Sequence, residues 1–110
     1  MAGKDSLGEF EQVVLVAVLR LGSDAYAVPI RREIEKRTRR WPARGAVYIT
    51  LTRLEEKGYL GSRLADASPE RGGRARRYYQ VKPVGAAALK ESWQVLQKMW
   101  EGLEPQVRNA

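Results

Sequence analysis

The sequence has 110 residues and a net charge of +7. It contains no cysteine, which excludes disulfides and thiolate chemistry, and no histidine, which is the commonest metal ligand and general base. Its length suits one domain, its carboxylates are scattered singly among basic groups, and no apolar run approaches the roughly 20 residues of a membrane span. We therefore expect a soluble, cytoplasmic protein that is not an enzyme and has no catalytic residue, cofactor, metal site or membrane partner.

The first predicted helix covers residues 7–21. Its apolar residues recur at three- and four-residue steps, which is typical of a helix with one buried face. That face consists of Leu7, Phe10, Val14, Ala17, Val18 and Leu21. Gly22 follows at the position where helices commonly end.

A second predicted helix follows Ser23 and Asp24, which offer it a cap. Pro29 is compatible with the first turn, because the backbone N–H groups there have no helical partner. The inner face of this helix is formed by Ala27, Ile30 and Ile34. Trp41 and Pro42 end it.

A third predicted helix runs from near Ala43 to Lys57, and a hairpin follows Gly58. The helix turns Val47, Leu51 and Leu54 inward. Residues 59–64 form a short strand, residues 67–73 form a turn, and residues 74–81 form a second strand. Because side chains alternate along a strand, Tyr78 and Tyr79 lie on opposite faces, and we expect one of the two to pack in the core.

The last predicted helix begins at Pro83 and continues to about Glu104. Apolar residues step along it by four and three, the spacing of a two-helix seam. This stripe comprises Leu89, Trp93, Leu96, Trp100 and Leu103. A domain this small has little core left to cover the stripe, so we expect a second copy to cover it in a two-fold dimer. Packing back onto the first helix is the alternative.

The order helix, helix, helix, strand, loop, strand, helix predicts a winged helix-turn-helix. This is an α+β fold, mainly α, with the winged domain in residues 1–82 and a C-terminal dimerisation helix and tail in residues 83–110. Winged helices also serve as protein-assembly modules, so the plan alone does not determine the function. Such a module would need an exposed apolar patch but no arginine-rich hairpin.

The positive charge is concentrated in the winged part of the chain. Residues 26–82 hold fifteen Lys or Arg against six Asp or Glu, a net of +9, whereas residues 1–25 carry −2 and residues 83–110 carry zero. This favours a polyanion as the partner, and a basic surface that only serves solubility is the alternative. A two-fold dimer would bind double-stranded DNA at a pseudo-palindromic operator, with half-sites roughly 34 Å apart.

The third helix is the candidate recognition helix, because the second helix of this motif inserts its N-terminal residues into the major groove. Arg44 lies nearest the tip, where a guanidinium group pairs with O6 and N7 of guanine. The exposed residues are Arg44, Gly45, Tyr48, Ile49, Thr52 and Arg53. For Tyr48, the alternative is packing on its own helix. For Arg53, the alternative is an ion pair with Glu56 or Glu33.

The hairpin tip carries four arginines around two glycines within residues 71–77. Such a tip is cationic and slim enough to lie along a minor groove or a phosphate strand. The expected DNA contacts are Arg71, Gly73, Arg74 and Arg76. An ordinary solvated loop is the alternative.

Two tryptophans in the C-terminal stripe allow a ligand site. Aromatic rings at a dimer interface can enclose a flat apolar ligand, so we expect Trp93 to line a pocket for a small aromatic effector. The alternative is that these aromatic side chains only pack in a core and bind no ligand.

Three segments resemble the PadR family of transcriptional regulators. Residues 45–48, GAVY, and 51–60, LTRLEEKGYL, resemble the recognition helix of that family, and residues 72–79, GGRARRYY, match its wing and paired tyrosines. Residues 25–27, AYA, lie where the family begins its second helix with a tyrosine and a small residue. The resemblance covers about residues 7–104.

The resemblance implies a winged helix that dimerises through its C-terminal helix, binds operator DNA and usually represses transcription. It also implies that Tyr26, at the start of the second helix, contacts a DNA phosphate. The single short C-terminal helix is similar to that of the compact subgroup of the family. Some members of this subgroup release DNA when an aromatic compound binds beside a tryptophan of the last helix, and residues 91–93, ESW, resemble that site. The chain departs from the family at Pro29 and Lys82-Pro83, where a helix former and a capping threonine are usual.

Overall fold

The computed structural model describes residues 7–66, 72–73 and 75–108. In this part of the chain the elements are α1 (Glu9–Leu21), α2 (Ala27–Thr38), α3 (Arg44–Glu56), β1 (Leu60–Ala65), β2 (Arg76–Val81), α4 (Pro83–Trp100) and α5 (Glu104–Arg108). Strands β1 and β2 form a two-stranded antiparallel sheet in which Leu60 pairs with Val81 and Ala65 with Arg76. This order confirms the predicted, mainly helical winged helix-turn-helix with a C-terminal helix.

The hydrophobic core lies among α1, α2 and α3 and is closed on one side by the hairpin. Most residues of the predicted inner faces are buried in the core, namely Leu7, Val14, Ala17, Val18, Ile30, Ile34, Val47, Leu51 and Leu54. The other three, Phe10, Leu21 and Ala27, are half-buried at its edge. Leu60 of β1 and Tyr79 of β2 complete it. Each fully buried Leu, Ile or Val side chain contributes roughly 1.5–3 kcal/mol relative to an exposed one, so burial holds the three helices together.

The start of α2 differs from the prediction. Ser23 and Asp24 do not cap the helix but lie in a short 3₁₀ turn, and Tyr26 is the residue that precedes α2. The reason is the buried Ala25, whose carbonyl accepts a hydrogen bond of 2.8 Å from the N–H of Tyr79. That bond holds the chain extended as far as Tyr26, so the helix begins only at Ala27. Pro29 lies in its first turn, as expected.

The end of α4 also differs from the prediction. The helix begins at Pro83 as predicted but ends at Trp100, so the prediction that it continues to Glu104 is wrong and Leu103 lies outside it. Gly102 adopts a positive φ of 82°, and the N–H of Leu103 bonds to the carbonyl of Trp100 at 2.8 Å. In a continuous helix, the ring of Pro105 would clash with the carbonyl four residues earlier.

The first turns of α4 pack on the domain, and the rest of the helix projects from it. Gly85 is buried and its backbone lies directly against Tyr59, while Ala88 and Leu89 are half-buried at the edge of the core. From Trp93 onward the α4 side chains are exposed. The molecule is accordingly elongated, with extents of 54 × 31 × 21 Å.

One ion pair is largely enclosed where α1 meets the end of α3. The ammonium group of Lys57 lies 2.9 Å from a carboxylate oxygen of Glu11, and the same carboxylate accepts a hydrogen bond from the N–H of Gly8. Burial alone would raise the pKa of Glu11, but the hydrogen bonds from Lys57 and Gly8 and the charges of Lys57 and Arg53 lower this pKa below its usual value. The ionised carboxylate therefore stabilises the fold.

The Gly85→Ala substitution should destabilise the protein. A Cβ at this position would lie 2.4 Å from the carbonyl oxygen of Tyr59, which is backbone and cannot rotate away. The clash outweighs the helix propensity gained by alanine, about 1 kcal/mol, and we expect the free energy of unfolding to fall by roughly 1–3 kcal/mol in urea titration. Gly45→Ala is the control, because its Cβ would meet nothing within 4 Å. A Gly85→Ala protein as stable as wild type would contradict the close packing of Gly85 against the Tyr59 carbonyl.

Stability should decrease in acid through Glu11. Because the pKa of Glu11 is lower in the folded state, its contribution is present above the unfolded value of 4.5 and is lost as the pH falls through the folded pKa. In Glu11→Gln, we expect the free energy of unfolding to be about 1–3 kcal/mol lower at neutral pH and to vary less below pH 5. The control is Glu56→Gln, at an exposed position of α3. If the stability of Glu11→Gln fell in acid as steeply as that of wild type, Glu11 would not be the group responsible.

Candidate nucleic-acid interface

The recognition-helix residues share one exposed face of α3. All six predicted residues are exposed, namely Arg44, Gly45, Tyr48, Ile49, Thr52 and Arg53. The opposite face of α3 is buried in the core. Tyr48 is 59% exposed and Ile49 is 56% exposed, so their apolar surface is available to a partner. This face therefore presents both a guanidinium group at its tip and apolar surface that suits a thymine methyl group.

The alternative for Arg53 is not observed in the described part of the chain. Glu33 instead pairs with Arg37, at 2.5 Å. No ion pair joins Arg53 to Glu56 or to any other described residue.

The connection before α3 is held by the side chain of Arg31, on α2. The Nε–H of Arg31 donates a 2.8 Å hydrogen bond to the carbonyl of Pro42, two residues before α3 begins. The same guanidinium group lies 3.4 Å from the carboxylate of Glu35, one helical turn away. Arg31 is thus a positioning residue for the recognition helix. The spacing of Arg31 and Glu35 is readable from the sequence, but the contact with Pro42 is not.

A short hydrogen-bond relay joins the other end of α3 to both strands. Arg77 of β2 donates to the hydroxyl of Ser62 at 2.9 Å, and that hydroxyl donates to the carboxylate of Glu55 at 2.5 Å. Arg77 of the arginine-rich hairpin therefore has a structural partner. The relay fixes the sheet relative to the recognition helix.

Two arginines and two tyrosines join the start of α2 to the base of the hairpin. We call this cluster the Arg–Tyr stack, and it consists of Arg76, Tyr26, Tyr78 and Arg63. The guanidinium carbon of Arg76 lies 3.9 Å from the ring centroid of Tyr26, and that of Arg63 lies 4.9 Å from the centroid of Tyr78. The two rings meet edge to face with centroids 5.4 Å apart. Each cation–π contact contributes about 0.5–1 kcal/mol at an exposed site.

The Arg–Tyr stack brings together two residues that the sequence analysis assigned separately. Tyr26 and Arg76 were each predicted to contact DNA, and they are in contact with one another. Arg63 and Tyr78 were missed, although they are directly opposite in the strand register and share one face of the sheet. A hydrogen bond from Arg76 to the Tyr78 hydroxyl raises the pKa of Arg76 above its usual value.

Only part of the predicted wing lies within the described residues. Gly73 is exposed and has a positive φ of 77°, following Gly72 at 67°, a conformation that favours glycine because it has no Cβ. Arg71 and Arg74 lie outside the described residues. Of the tyrosine pair, Tyr79 is the one in the core.

The C-terminal stripe divides into a half-buried start and an exposed remainder. Leu89 packs against the core, whereas Trp93 is 63% exposed and Leu96 is 52% exposed. Trp100 and Leu103 are also exposed. Trp93, Leu96 and Trp100 line one shallow depression. Beyond its first turns, α4 therefore leaves its apolar surface open rather than packing it back onto α1.

The described residues offer neither a membrane span nor a cluster of metal ligands. No helix there has the length and apolar character needed to cross a membrane. Over the same residues, no group of three or more acidic side chains is arranged to hold a metal ion.

Comparison with known proteins gives a match by sequence family and several by structure. The profile of the family described as "Transcriptional regulator PadR-like family" matches residues 15–91. No curated protein matches the sequence. A PadR-like transcription factor from Bacteroides fragilis has 27% identity and a TM-score of 0.63, covering 91% of this chain and 87% of that one.

Two further solved structures have the same fold. A PadR family transcription regulator from Clostridium difficile has 22% identity and a TM-score of 0.63, covering 84% of this chain and 95% of that one. A transcriptional regulator from Clostridium thermocellum has 22% identity and a TM-score of 0.65, covering 86% and 91%. The family profile spans well over half of the sequence and includes the recognition helix, both strands and the start of α4. The chain therefore belongs to the PadR-like family of transcriptional regulators.

Proposed function

We propose that this protein is a homodimeric, sequence-specific repressor that binds a pseudo-palindromic operator. The observation that carries the proposal is the exposed face of α3, in a domain whose hairpin base is made cationic by the Arg–Tyr stack. A protein-assembly module would have no use for this concentration of guanidinium groups. Occupation of an operator by the dimer would block transcription.

In this proposal, the exposed residues of α3 read bases and the hairpin binds the backbone. Arg44, at the tip of the helix, pairs with a guanine, while Ile49 and Thr52 contact neighbouring base edges. Tyr48 and Tyr26 offer hydroxyl groups to phosphate oxygens. The arginine-rich wing follows the backbone or the minor groove, with Gly73 at its tip and Arg76 at its base.

The proposed dimer is supported by two apolar surfaces that one chain leaves open. The first is the α4 stripe, whose tryptophans would each bury about 150–250 Å² in an interface. The second is a groove of about 340 Å³ between α1 and α2, lined by Val13, Val16 and Ala17 on one side and Ile34 on the other. A second copy related by a two-fold axis can cover both surfaces reciprocally, because each copy supplies one of each kind.

We propose that Trp93 lines a site for a small aromatic effector that releases the operator. The exposed indole and the neighbouring depression support this assignment. Division of the chain into a DNA-binding part, residues 1–82, and a dimerisation part, residues 83–110, follows from the same proposal.

The DNA-binding proposal is tested by fluorescence-anisotropy titration of DNA from the gene's own upstream region against scrambled DNA. We expect specific binding whose log K falls with log salt, by about 0.9 for each phosphate neutralised. Arg44→Ala should lose about 1–3 kcal/mol on the specific DNA and less on the scrambled DNA. Its control is Arg37→Ala, since Arg37 is paired with Glu33. Equal binding to both DNAs by wild type would reject a specific regulator.

The dimer is tested by Leu96→Glu in sedimentation equilibrium. A carboxylate buried at the interface without a partner costs several kcal/mol, so we expect a monomer where wild type is a dimer. Val84→Glu is the matched control, because Val84 is 54% exposed, is also on α4 and lies outside the stripe. A dimeric Leu96→Glu protein would place the interface elsewhere.

A further inference from the structure

A small crevice lies between α2 and the N-terminal half of α3. It has a volume of about 120 Å³ and is lined by Ala27, Val28, Arg31, Arg32, Arg44 and Val47. Its lining therefore combines three small apolar side chains with three guanidinium groups. Neither Arg31 nor Arg32 is among the residues predicted from the sequence to contact DNA.

The three arginines are not equivalent. Arg31 is neutralised by Glu35 and its Nε–H is occupied by the carbonyl of Pro42. Arg32 and Arg44 are exposed, and neither forms an ion pair with a residue in the described part of the chain. Two unneutralised guanidinium groups beside one crevice repel each other, and an anion between them removes that repulsion.

The sequence of α2 leaves Arg32 without a carboxylate. The residues four positions before and after it are Val28 and Lys36, so neither i,i+4 position supplies an acidic partner. The glutamate three positions on, Glu35, is already paired with Arg31. Elsewhere on α2, Arg37 has its own partner in Glu33. Arg32 thus differs from Arg31 and Arg37, because it lies at the crevice and has no carboxylate partner among the described residues.

We propose that this crevice binds a backbone phosphate of the operator and that Arg32 is its principal donor. The inference rests on the proposed DNA-binding function. Arg44 belongs both to the crevice and to the reading face of α3, so a phosphate held by Arg32 fixes the depth and register at which Arg44 meets the bases. Arginine suits this role because its planar fork donates two parallel hydrogen bonds to phosphate oxygens.

The test compares Arg32→Gln with Arg37→Gln by anisotropy titration on operator and scrambled DNA at several salt concentrations. We expect Arg32→Gln to weaken binding to both DNAs alike, roughly tenfold at low salt. Its slope of log K against log salt should be shallower than that of wild type by about 0.9, the value for one phosphate. Arg37→Gln should match wild type in slope, and Arg32→Lys should restore the slope because it keeps the charge.

Three results would overturn the inference. A wild-type slope in Arg32→Gln, with wild type itself binding the operator, would show that the crevice holds no phosphate. A loss confined to the operator would show that Arg32 reads a base instead. If wild type bound neither DNA, the proposed function would fail, and the inference with it. Equal melting temperatures for the two glutamine variants exclude misfolding as the cause of any difference.

Discussion

The hydrogen bond from the Tyr79 N–H to the Ala25 carbonyl joins the α1–α2 connection to the hairpin, and much of the candidate interface depends on it. Because Ala25 and Tyr79 are both buried, water does not compete for this bond. Side-chain alternation then turns Tyr78 to the opposite face of β2, towards Tyr26. The Arg–Tyr stack follows from that placement, and with it the position of the hairpin base beside α2.

The recognition helix is fixed by polar contacts at both ends and by apolar burial in the middle. Arg31 holds the residue that leads into α3, while Lys57, which follows the helix, is held by the carboxylate of Glu11. Between these ends, Val47, Leu51 and Leu54 are buried in the core. In the proposed function, a helix held this way needs little reordering when it binds DNA, which lowers the entropic cost of binding.

The sequence predicts the fold well because the fold depends on periodicity. Apolar spacing identifies the buried faces of α1, α2 and α3, and the glycines and prolines mark most of the ends. What it misses depends on contacts between distant residues. The late start of α2 requires knowing that Ala25 bonds to a strand 54 residues later, and the role of Arg31 requires knowing where the Pro42 carbonyl points. The early end of α4 was readable from Gly102 and Pro105, but the apolar stripe favoured a longer helix.

The contact between Gly85 and Tyr59 has a geometric consequence for any assembly of two copies. It fixes the root of α4, and the 18-residue helix extends about 27 Å from there at 1.5 Å per residue. A rotation of about 10° at the root would displace the far end by roughly 5 Å over that length. In the proposed dimer, α4 connects the winged domain of each copy to the interface. The size of the side chain at position 85 would therefore affect the distance between the two α3 helices, because that spacing would depend on how closely Gly85 packs against Tyr59.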